Sequence, residues 1–292
     1  MLRFQNFLFP TDLSARCVHF APYVAGIARK FGSEITLLHT LDMHDPFGYG
    51  AASGTAVYGA CEAEVKKLHE KAFAEFGKDA FAGLTTTRIT RTGDPAACII
   101  KYAEEHGTDV IFIPTHGRGR FRRLLLGSVT SKVLHDARIP VWTSAHSETA
   151  EGNAAASRDI RSIICAVDLS PDAVRVIRAA AGLGASYGAT VRLIHAVGAP
   201  ETGDSSTSDE CFRRFLFELA TDQLAARQRE AGTHFETCTR HGTVEATVKE
   251  IAANASADLI VIGRGRLQEL LGCLKTNVAA IIRESPCPVL SV

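Results

Sequence analysis

The sequence predicts an α/β protein of two tandem domains, each a doubly wound, five-stranded parallel sheet. Three observations support this prediction. The 292 residues suffice for two domains of ordinary size. Asp12-Leu13-Ser14 recurs as Asp168-Leu169-Ser170, and Leu37-Leu38-His39 recurs at the same offset as Leu193-Ile194-His195. In each copy, short apolar runs alternate with longer segments of helical periodicity, which is typical of strand–helix–strand units.

The repeat divides the chain into a first domain at 1–146, a linker at 147–158 and a second domain at 159–292. The linker is small, polar and without periodicity. In the first copy the predicted strands are Phe4–Phe9, Glu34–His39, Thr85–Thr92, Val110–Ile113 and Pro140–Ser144. The predicted helices are Ala15–Phe31, Cys61–Lys78, one opened by Asp94-Pro95 and one opened by Ser128.

Each helix is predicted from its apolar spacing or its cap. The first has an expected inner face of Val18, Ala21, Ala25 and Ala28, and the second one of Val65, Leu68 and Ala72. Asp94 suits an N-cap, with Pro95 at the first helical position. The glycine-rich stretch Asp42–Ala60 is too long for an ordinary connection, and loops of that length tend to carry function.

Composition excludes several classes of protein. Apolar residues make up 46% and charged residues 22%, as in a soluble globular chain. The 32 basic residues equal the 32 acidic ones, which argues against nucleic-acid binding. No apolar run approaches a membrane span. The opening MLRFQNFLFPTDLS resembles a first strand rather than a signal peptide, so a cytoplasmic protein is expected.

The eight cysteines are predicted to be core thiols of a reducing cytoplasm. None forms a Cys-x-x-Cys pair, so neither a zinc knuckle nor a thioredoxin-type centre is indicated. Most lie in apolar surroundings, as in Ile164-Cys165-Ala166.

The stretch Asp109–Thr130 carries the main functional motif. Val110–Ile113 is apolar without alternation, which suits a strand covered on both faces. Gly117, Gly119 and Gly127 follow, and Ser128 is a candidate N-cap of the next helix. A glycine turn that leads into a helix N-terminus is typical of a phosphate site. The alternative is a plain strand–helix connection in which the glycines only form turns.

This stretch closely resembles the nucleotide loop of the universal stress protein family, Gly-x2-Gly-x9-Gly-Ser/Thr. Gly117 and Gly127-Ser128 fit the spacing, Val129-Thr130 fit the usual continuation, and Pro114 stands in place of the first glycine. The resemblance covers nearly the whole chain and implies strand order 3-2-1-4-5. Ligands of such sheets bind at the carboxyl ends of strands where the order reverses, here between strands 1 and 4.

The resemblance also implies a ligand, ATP or another adenine nucleotide, with Mg²⁺ as a potential companion. By itself, Asp12 could either contact such a ligand or cap the helix near Ser14; in the family the matching aspartate touches the nucleotide. Proline at Pro114 lacks an N–H group and fixes φ, which puts nucleotide binding in question. The implied nucleotide-binding residues are Pro10, Asp12, Thr40 and Ile113, then Pro114, and on the phosphate side Gly117, Gly127, Ser128, Val129 and Thr130.

Other polar residues near the loop allow two interpretations. Four arginines could neutralise phosphates or form a solvated basic surface: Arg118, Arg120, Arg122 and Arg123. His39, at a strand end, is expected to be a packed, hydrogen-bonded histidine, and His116 has no partner that the sequence identifies. The chain lacks the P-loop, the Gly-x-Ser-x-Gly elbow and His-Glu-x-x-His, so no catalytic residue is assigned.

The second copy is expected to bind a nucleotide weakly or not at all. It keeps Asp168 and Gly263-Arg264-Gly265, but Lys275-Thr276 replaces Gly-Ser. The family resemblance implies that it pairs with the first copy through the fifth strands, here Val141-Trp142-Thr143 and Val289-Leu290-Ser291, whose edges could also form a homodimer. The expected function is stress-response regulation through a bound nucleotide. The alternatives are a nucleotide-independent module for unknown protein partners and a slow ATPase or autophosphorylating enzyme.

Overall fold

The structure is a computed structural model that describes residues 3–41, 62–117, 126–145, 159–198, 207–264 and 274–292. Its contacts divide the chain into two compact units. Among the described residues, one contains 3–141 and the other contains 142–145 and 159–292.

The first repeat alternates strands and helices as predicted. Its strands are β1 (Asn6–Thr11), β2 (Glu34–Leu41), β3 (Thr86–Thr92), β4 (Val110–Ile113) and β5 (Val141–Thr143). Its helices are α1 (Ala15–Phe31), α2 (Glu62–Glu75), α3 (Pro95–Glu105) and α4 (Ser128–Asp136). The order is β3-β2-β1-β4-β5, and β1 pairs in parallel with both β2 and β4. The predicted order 3-2-1-4-5 is therefore confirmed.

The second repeat has the same architecture. Its strands are β6 (Ser162–Ala166), β7 (Thr190–Val197), β8 (Glu236–His241), β9 (Leu259–Ile262) and β10 (Val289–Ser291). Its helices are α5 (Ala173–Tyr187), α6 (Thr207–Ala231), α7 (Val244–Asn254) and α8 (Leu274–Glu284). β6 lies between β7 and β9, in parallel with each. The order β8-β7-β6-β9-β10 again corresponds to 3-2-1-4-5.

Aromatic packing builds the core of the first repeat. Phe9 on β1 is fully buried, and its ring lies 6.0 Å from the rings of Phe20, Phe76 and Phe81. Phe112 on β4 packs 4.7 Å from Phe7 on β1. Because β1 and β4 are covered on both faces, their apolar runs lack alternation.

Two predicted helix faces need correction. On α1, the three alanines are buried but Val18 is 51% exposed, because Phe20, Tyr23 and Val24 fill the interior instead. On α2, Leu68 is 63% exposed and Ala72 is exposed, whereas Phe73 and Phe76 are buried. The larger phenyl rings bury more apolar surface than the aliphatic residues, so they fix the rotation of α2. The side chain of Val65 lies outside the described residues.

An arginine from β3 caps the carboxyl end of α2. Arg88 donates from Nη1 to the carbonyl of Phe73 at 3.0 Å and from Nη2 to that of Phe76 at 2.8 Å. Its guanidinium also lies 5.7 Å from the ring centre of Phe73. These contacts satisfy helix-end carbonyls that have no partner within the helix.

One carboxylate in each repeat ties the start of the first strand to the fourth. Asp109 accepts hydrogen bonds from the N–H groups of Gln5 and Asn6, both at 2.9 Å. Asp258 likewise accepts from Arg161 at 2.8 Å and from Ser162 at 3.0 Å. The repeated clamp sets the register that brings the opposite ends of these strands together.

The cysteine prediction holds in part. Cys17, Cys165 and Cys287 are buried free thiols, as expected, but Cys211 on α6 is exposed. Cys98 and Cys238 are half-buried, and the remaining two cysteines lie outside the described residues. Within the described ranges, no helix is both long and apolar enough to cross a membrane.

Candidate functional site

The carboxyl ends of β1 and β4 meet at one edge of the first repeat's sheet. Phe7 is in register with Val110 and Leu8 with Ile111, so the segments that leave the two strands are adjacent. Asp12 follows β1 directly, and Pro114 follows β4 directly. The register thus brings together two parts of the predicted site that are about a hundred positions apart in the chain.

A strained turn presents Asp12. Leu13 has φ of 62°, a left-handed conformation that costs a non-glycine residue about 1 kcal/mol. Asp12 Oδ1 accepts a hydrogen bond from the N–H of Ser14 at 2.9 Å. The N-cap of α1 is Ser14, whose side chain accepts from the N–H of Cys17. The capping alternative for Asp12 is therefore wrong, and its carboxylate instead stabilises the turn.

Cys17 reinforces this orientation from inside the domain. Its thiol is 3% exposed and lies 3.2 Å from Asp12 Oδ1, to which it donates. Burial, followed by the negative charge of Asp12, raises the pKa of Cys17 to about 12. The sulfur therefore keeps its proton at neutral pH, and Oδ1 has two donors within the protein.

The other carboxylate oxygen of Asp12 lies against Gly117. A Cβ atom built on Gly117 would sit 2.5 Å from Asp12 Oδ2, and among the described residues, chain neighbours apart, the atoms within 4 Å of it belong to Asp12. The φ of Gly117 is not in the left-handed region. Gly117 is thus required by the close approach of the carboxylate rather than by its backbone conformation.

Gly127, not Ser128, is the N-cap of α4, which corrects the prediction. Its N–H donates to the carbonyl of Thr115 at 2.9 Å and closes the loop. A Cβ on Gly127 would lie 3.3 Å from that carbonyl oxygen and 3.4 Å from the Cα of His116. Close backbone packing therefore explains this glycine, and its N–H is used within the protein.

Thr130 ties α4 to the end of β4. Its buried hydroxyl donates to the carbonyl of Pro114 at 2.8 Å, so its proton is committed internally. Ser128 is exposed and Val129 half-buried in the first turn. The first N–H groups of an α-helix have no acceptor within the helix. Ser128 and Val129 are therefore the less buried residues of this turn, and their N–H groups lie near the surface at the helix start.

The residues expected on the adenine side also lie at this edge. Pro10 is buried within β1, Ile113 is 5% exposed at the end of β4, and Thr40 is half-buried near the end of β2. Thr11 is in register with His39, directly before Thr40, which places Thr40 level with the Asp12 turn.

Two histidines border the site. His39 is 2% exposed and donates from Nδ1 to the carbonyl of Thr11 at 2.8 Å, which confirms the prediction of a packed, hydrogen-bonded residue. His195 makes the matching 2.8 Å contact with Val167 in the second repeat. His116 is buried, and its Nδ1 lies 3.1 Å from the hydroxyl of Thr115, a partner that the sequence did not reveal.

Several predicted segments lie outside the described residues. They are Asp42–Ala60, the linker 147–158, Gly119, Gly265, the four arginines Arg118, Arg120, Arg122 and Arg123, and the side chains of Lys275 and Thr276. In the described part of the chain, no three His, Cys, Asp or Glu side chains are grouped so that they could hold a metal ion.

The second repeat keeps the turn but changes the residues around it. Asp168 accepts from the N–H of Ser170 at 3.1 Å, and Leu169 has φ of 65°. Gly263 follows β9 as Pro114 follows β4, so the glycine missing from the first repeat is present here. The next residue is Arg264, whose N–H donates to the carbonyl of Val292 at 3.1 Å.

The family model described as "Universal stress protein family" matches residues 3–144 and again 159–292. The chain belongs to the universal stress protein family. The two matches coincide with the two sequence repeats, so the chain is a tandem member.

Individual relatives agree with this assignment. Universal stress protein MJ0577 of Methanocaldococcus jannaschii is 30% identical over 150 residues, which cover 47% of this chain and 93% of that protein. Universal stress protein Sll1654 of Synechocystis sp. is 30% identical over 141 residues, 48% of this chain and 85% of that protein. A crystal structure of a universal stress protein from Archaeoglobus fulgidus DSM 4304 matches with a TM-score of 0.68 and 25% identity, covering 100% of this chain and 97% of that one.

Proposed function

We propose that the first repeat binds ATP or a related adenine nucleotide and that the chain acts as a nucleotide-responsive regulator of the stress response. The observation that carries the proposal is the contact between Asp12 Oδ2 and the Gly117 turn. A carboxylate at the end of β1 and a glycine turn after β4 meet where this fold binds ligands. The start of α4, at Gly127, is the third part of the proposed site.

The proposed roles follow from which groups are already used. Gly127 N–H and the Thr130 hydroxyl have acceptors within the protein. The phosphates would therefore meet the N–H groups of Ser128 and Val129 and the Ser128 hydroxyl, beside the positive end of the α4 dipole. Gly117 would allow the phosphates to approach the backbone closely.

The remaining residues would hold the nucleoside. Pro10, Thr40 and Ile113 would border the adenine, and Asp12 would accept hydrogen bonds from ribose hydroxyls or help to hold Mg²⁺ near the phosphates. Mg²⁺ would neutralise phosphate charge. Regulation, rather than turnover, fits a site with no assigned catalytic residue.

The second repeat is proposed to act as a structural partner. The fifth strands, β5 and β10, are the proposed contact between the repeats and a proposed edge for homodimer formation. A cytoplasmic location is part of the same proposal.

A second candidate is a protein-interaction module that works without a nucleotide. Pro114 favours it, because proline replaces the first glycine of the family loop and its carbonyl is bound to Thr130. Pro114 cannot donate an N–H group to a ligand.

Isothermal titration calorimetry with Mg·ATP tests both candidates. The intact chain is expected to bind Mg·ATP at one site. The double variant Gly127→Val, Ser128→Ala is expected not to bind it. Ser131→Ala, an exposed serine on the same helix, is the matched control and should bind like the intact chain. No binding to the intact chain, with binding gained in Pro114→Gly, would favour the interaction module.

A further inference from the structure

The outward face of α6 carries a stripe of large apolar side chains. Phe212, Phe215 and Leu219 are 51%, 57% and 43% exposed. They are three and four residues apart, so they lie on one face of the helix. Among the described residues, the other exposed large apolar side chains are Val18 on α1 and Leu68 on α2, one on each helix. The apolar surface of the described helices is thus concentrated on α6.

A different face of α6 holds the helix on its own sheet. Leu224 is fully buried, and the ring of Phe217 lies 5.3 Å from the ring of His241 on β8. The side-chain amide of Gln228 accepts from the N–H of Phe235 at 2.6 Å and donates to its carbonyl at 3.2 Å. The outward stripe takes no part in these contacts, so its exposure is not needed to attach α6 to the domain.

The stripe is large enough to form the centre of an interface. A phenyl side chain presents about 150–250 Å² of surface, so these three half-exposed side chains offer roughly 300 Å². Apolar patches of that size on a monomer are often functional. Two such stripes packed together would cover about 600 Å², half of the roughly 1,200 Å² at the lower limit for stable interfaces. A polar rim supplies the remaining area in typical interfaces, so an affinity in the micromolar range is expected.

An ion pair borders the stripe. Arg214 donates from Nε to Oε1 of Glu218 at 3.2 Å, and both side chains are exposed. Helical geometry places both residues on the same flank of the stripe. This flank therefore presents a positive and a negative charge one helical turn apart, an order that is complementary to its own reverse.

Reversing the helix direction matches this surface with itself. In an antiparallel pair of α6 helices with a two-fold axis next to Phe215, Phe212 would meet Leu219 of a second copy. The same axis would bring Arg214 beside Glu218 of the second copy. A parallel pair would instead place each charge beside its own like, which is unfavourable. The charges therefore favour a second copy of this chain, packed antiparallel, as the partner that fits.

The same charges argue against a membrane surface as the partner. Helices that lie on membranes carry an excess of lysine and arginine on their polar face. Between residues 210 and 222, three acidic residues outnumber two basic ones: Glu210, Glu218 and Asp222 against Arg213 and Arg214. This part of α6 would therefore not be attracted to anionic lipids.

We propose that the Phe212, Phe215 and Leu219 stripe is a docking surface for a second copy of this chain, with the two α6 helices antiparallel. The proposal does not depend on nucleotide binding. It also uses a different element from the fifth-strand edges proposed above for homodimer formation, so different substitutions test the two surfaces.

Sedimentation equilibrium of the full-length chain over a range of concentrations tests the proposal. The intact chain is expected to self-associate, and Phe215→Ser is expected to raise the dissociation constant about tenfold or more, as for a central aromatic residue. Leu68→Ser is the matched control, because it removes an exposed leucine from the second helix of the first repeat, and it should leave association unchanged. Circular dichroism confirms that the variants are folded.

Exchange of the flanking charges tests the antiparallel arrangement. Arg214→Glu and Glu218→Arg should each weaken self-association, because like charges then face each other across the two-fold axis. An equal mixture of the two variants should associate more tightly than either alone, since every facing pair is again of opposite charge. The ion pair within α6 is broken in both variants, so this recovery cannot come from within one helix.

The results separate this surface from the alternatives. The proposal is overturned if the intact chain stays monomeric up to about 1 mM, or if Phe215→Ser associates as the intact chain does, which would point to another edge. It is also overturned if the mixture of charge variants associates no more tightly than each alone. Cosedimentation of a monomeric chain with phosphatidylcholine–phosphatidylglycerol vesicles, lost in Phe215→Ser, would assign the stripe to a membrane surface instead.

Discussion

Replacing Gly117 by alanine tests whether Asp12 is held as rigidly as its contacts indicate. The new Cβ would lie 2.5 Å from Asp12 Oδ2, and real Cβ contacts are almost never below 3.0 Å. The carboxylate must therefore turn away by about 0.5 Å or more, which displaces Oδ1 from the N–H of Ser14 and the thiol of Cys17. Hydrogen bonds to a charged group contribute about 1.5–3 kcal/mol each. Because water can replace part of that loss, we expect Gly117→Ala to lower the free energy of unfolding by about 1–3 kcal/mol.

A double-mutant cycle isolates the cause. In an Asp12→Ala background the obstacle is gone, so Gly117→Ala should cost less than about 0.5 kcal/mol. Urea unfolding followed by circular dichroism gives the four free energies. Gly182→Ala on α5 is the matched control: apart from its own helix backbone and its chain neighbours, its Cβ would meet no atom of the described residues within 4 Å, so alanine should stabilise the helix by about 0.5–1 kcal/mol.

The same double-mutant cycle can refute the proposed contact between Asp12 and Gly117. If the effects of Asp12→Ala and Gly117→Ala add within about 0.5 kcal/mol, the two residues do not interact and the proposed site loses its main support. A coupling of 1 kcal/mol or more, together with weaker Mg·ATP binding by Gly117→Ala, would support both the geometry and the function.

Three further predictions concern stability. Asp109→Ala and Asp258→Ala should each lower the free energy of unfolding by about 1–3 kcal/mol, since two backbone N–H groups lose their acceptor. Asp109→Asn and Asp258→Asn should lower it less, and equal urea midpoints for all four variants would contradict the clamp. Arg88→Ala should speed hydrogen exchange at the carboxyl end of α2 far more than Arg91→Ala, and equal exchange would show that the cap is unimportant. Since the pKa of Cys17 is raised from 9.0 to about 12 in the folded state, its contribution to stability is complete below pH 9 and is lost as the pH rises towards 12. Above pH 9 the free energy of unfolding should therefore fall less steeply in Cys17→Ser, by up to about 1.4 kcal/mol per pH unit. An unchanged slope would contradict the buried thiol.

Local patterns explain what the sequence alone could predict. The duplicated Asp-Leu-Ser, the unbroken apolar run at Val110–Ile113 and the Asp94-Pro95 helix start depend on near neighbours in the chain. Periodicity and capping are short-range effects, so they predicted the alternation of strands and helices in both repeats. The strand order followed from the family resemblance, and the structure confirms it.

The rotation of each helix about its axis was less accessible, because it depends on contacts between residues that are distant in the sequence. Leu68 fits the helical pattern of α2 as well as Phe73 does, and only packing against the sheet decides which one is buried. Ser14 is the N-cap of α1, while Asp12 accepts from the N–H of Ser14 through Oδ1 and lies against Gly117 through Oδ2.

The sequence by itself thus determined the duplicated fold and the segments that form the candidate site, because apolar periodicity and glycine spacing are patterns among residues that are close in the chain. Only the tertiary structure decided what each group does there. Parallel pairing of β1 with β4 brings Asp12 to Gly117, while Gly127 and Thr130 are committed to internal hydrogen bonds and Ser128 is exposed at the start of α4. Such contacts are selected by the packing free energy of the whole domain, which no short stretch of sequence contains.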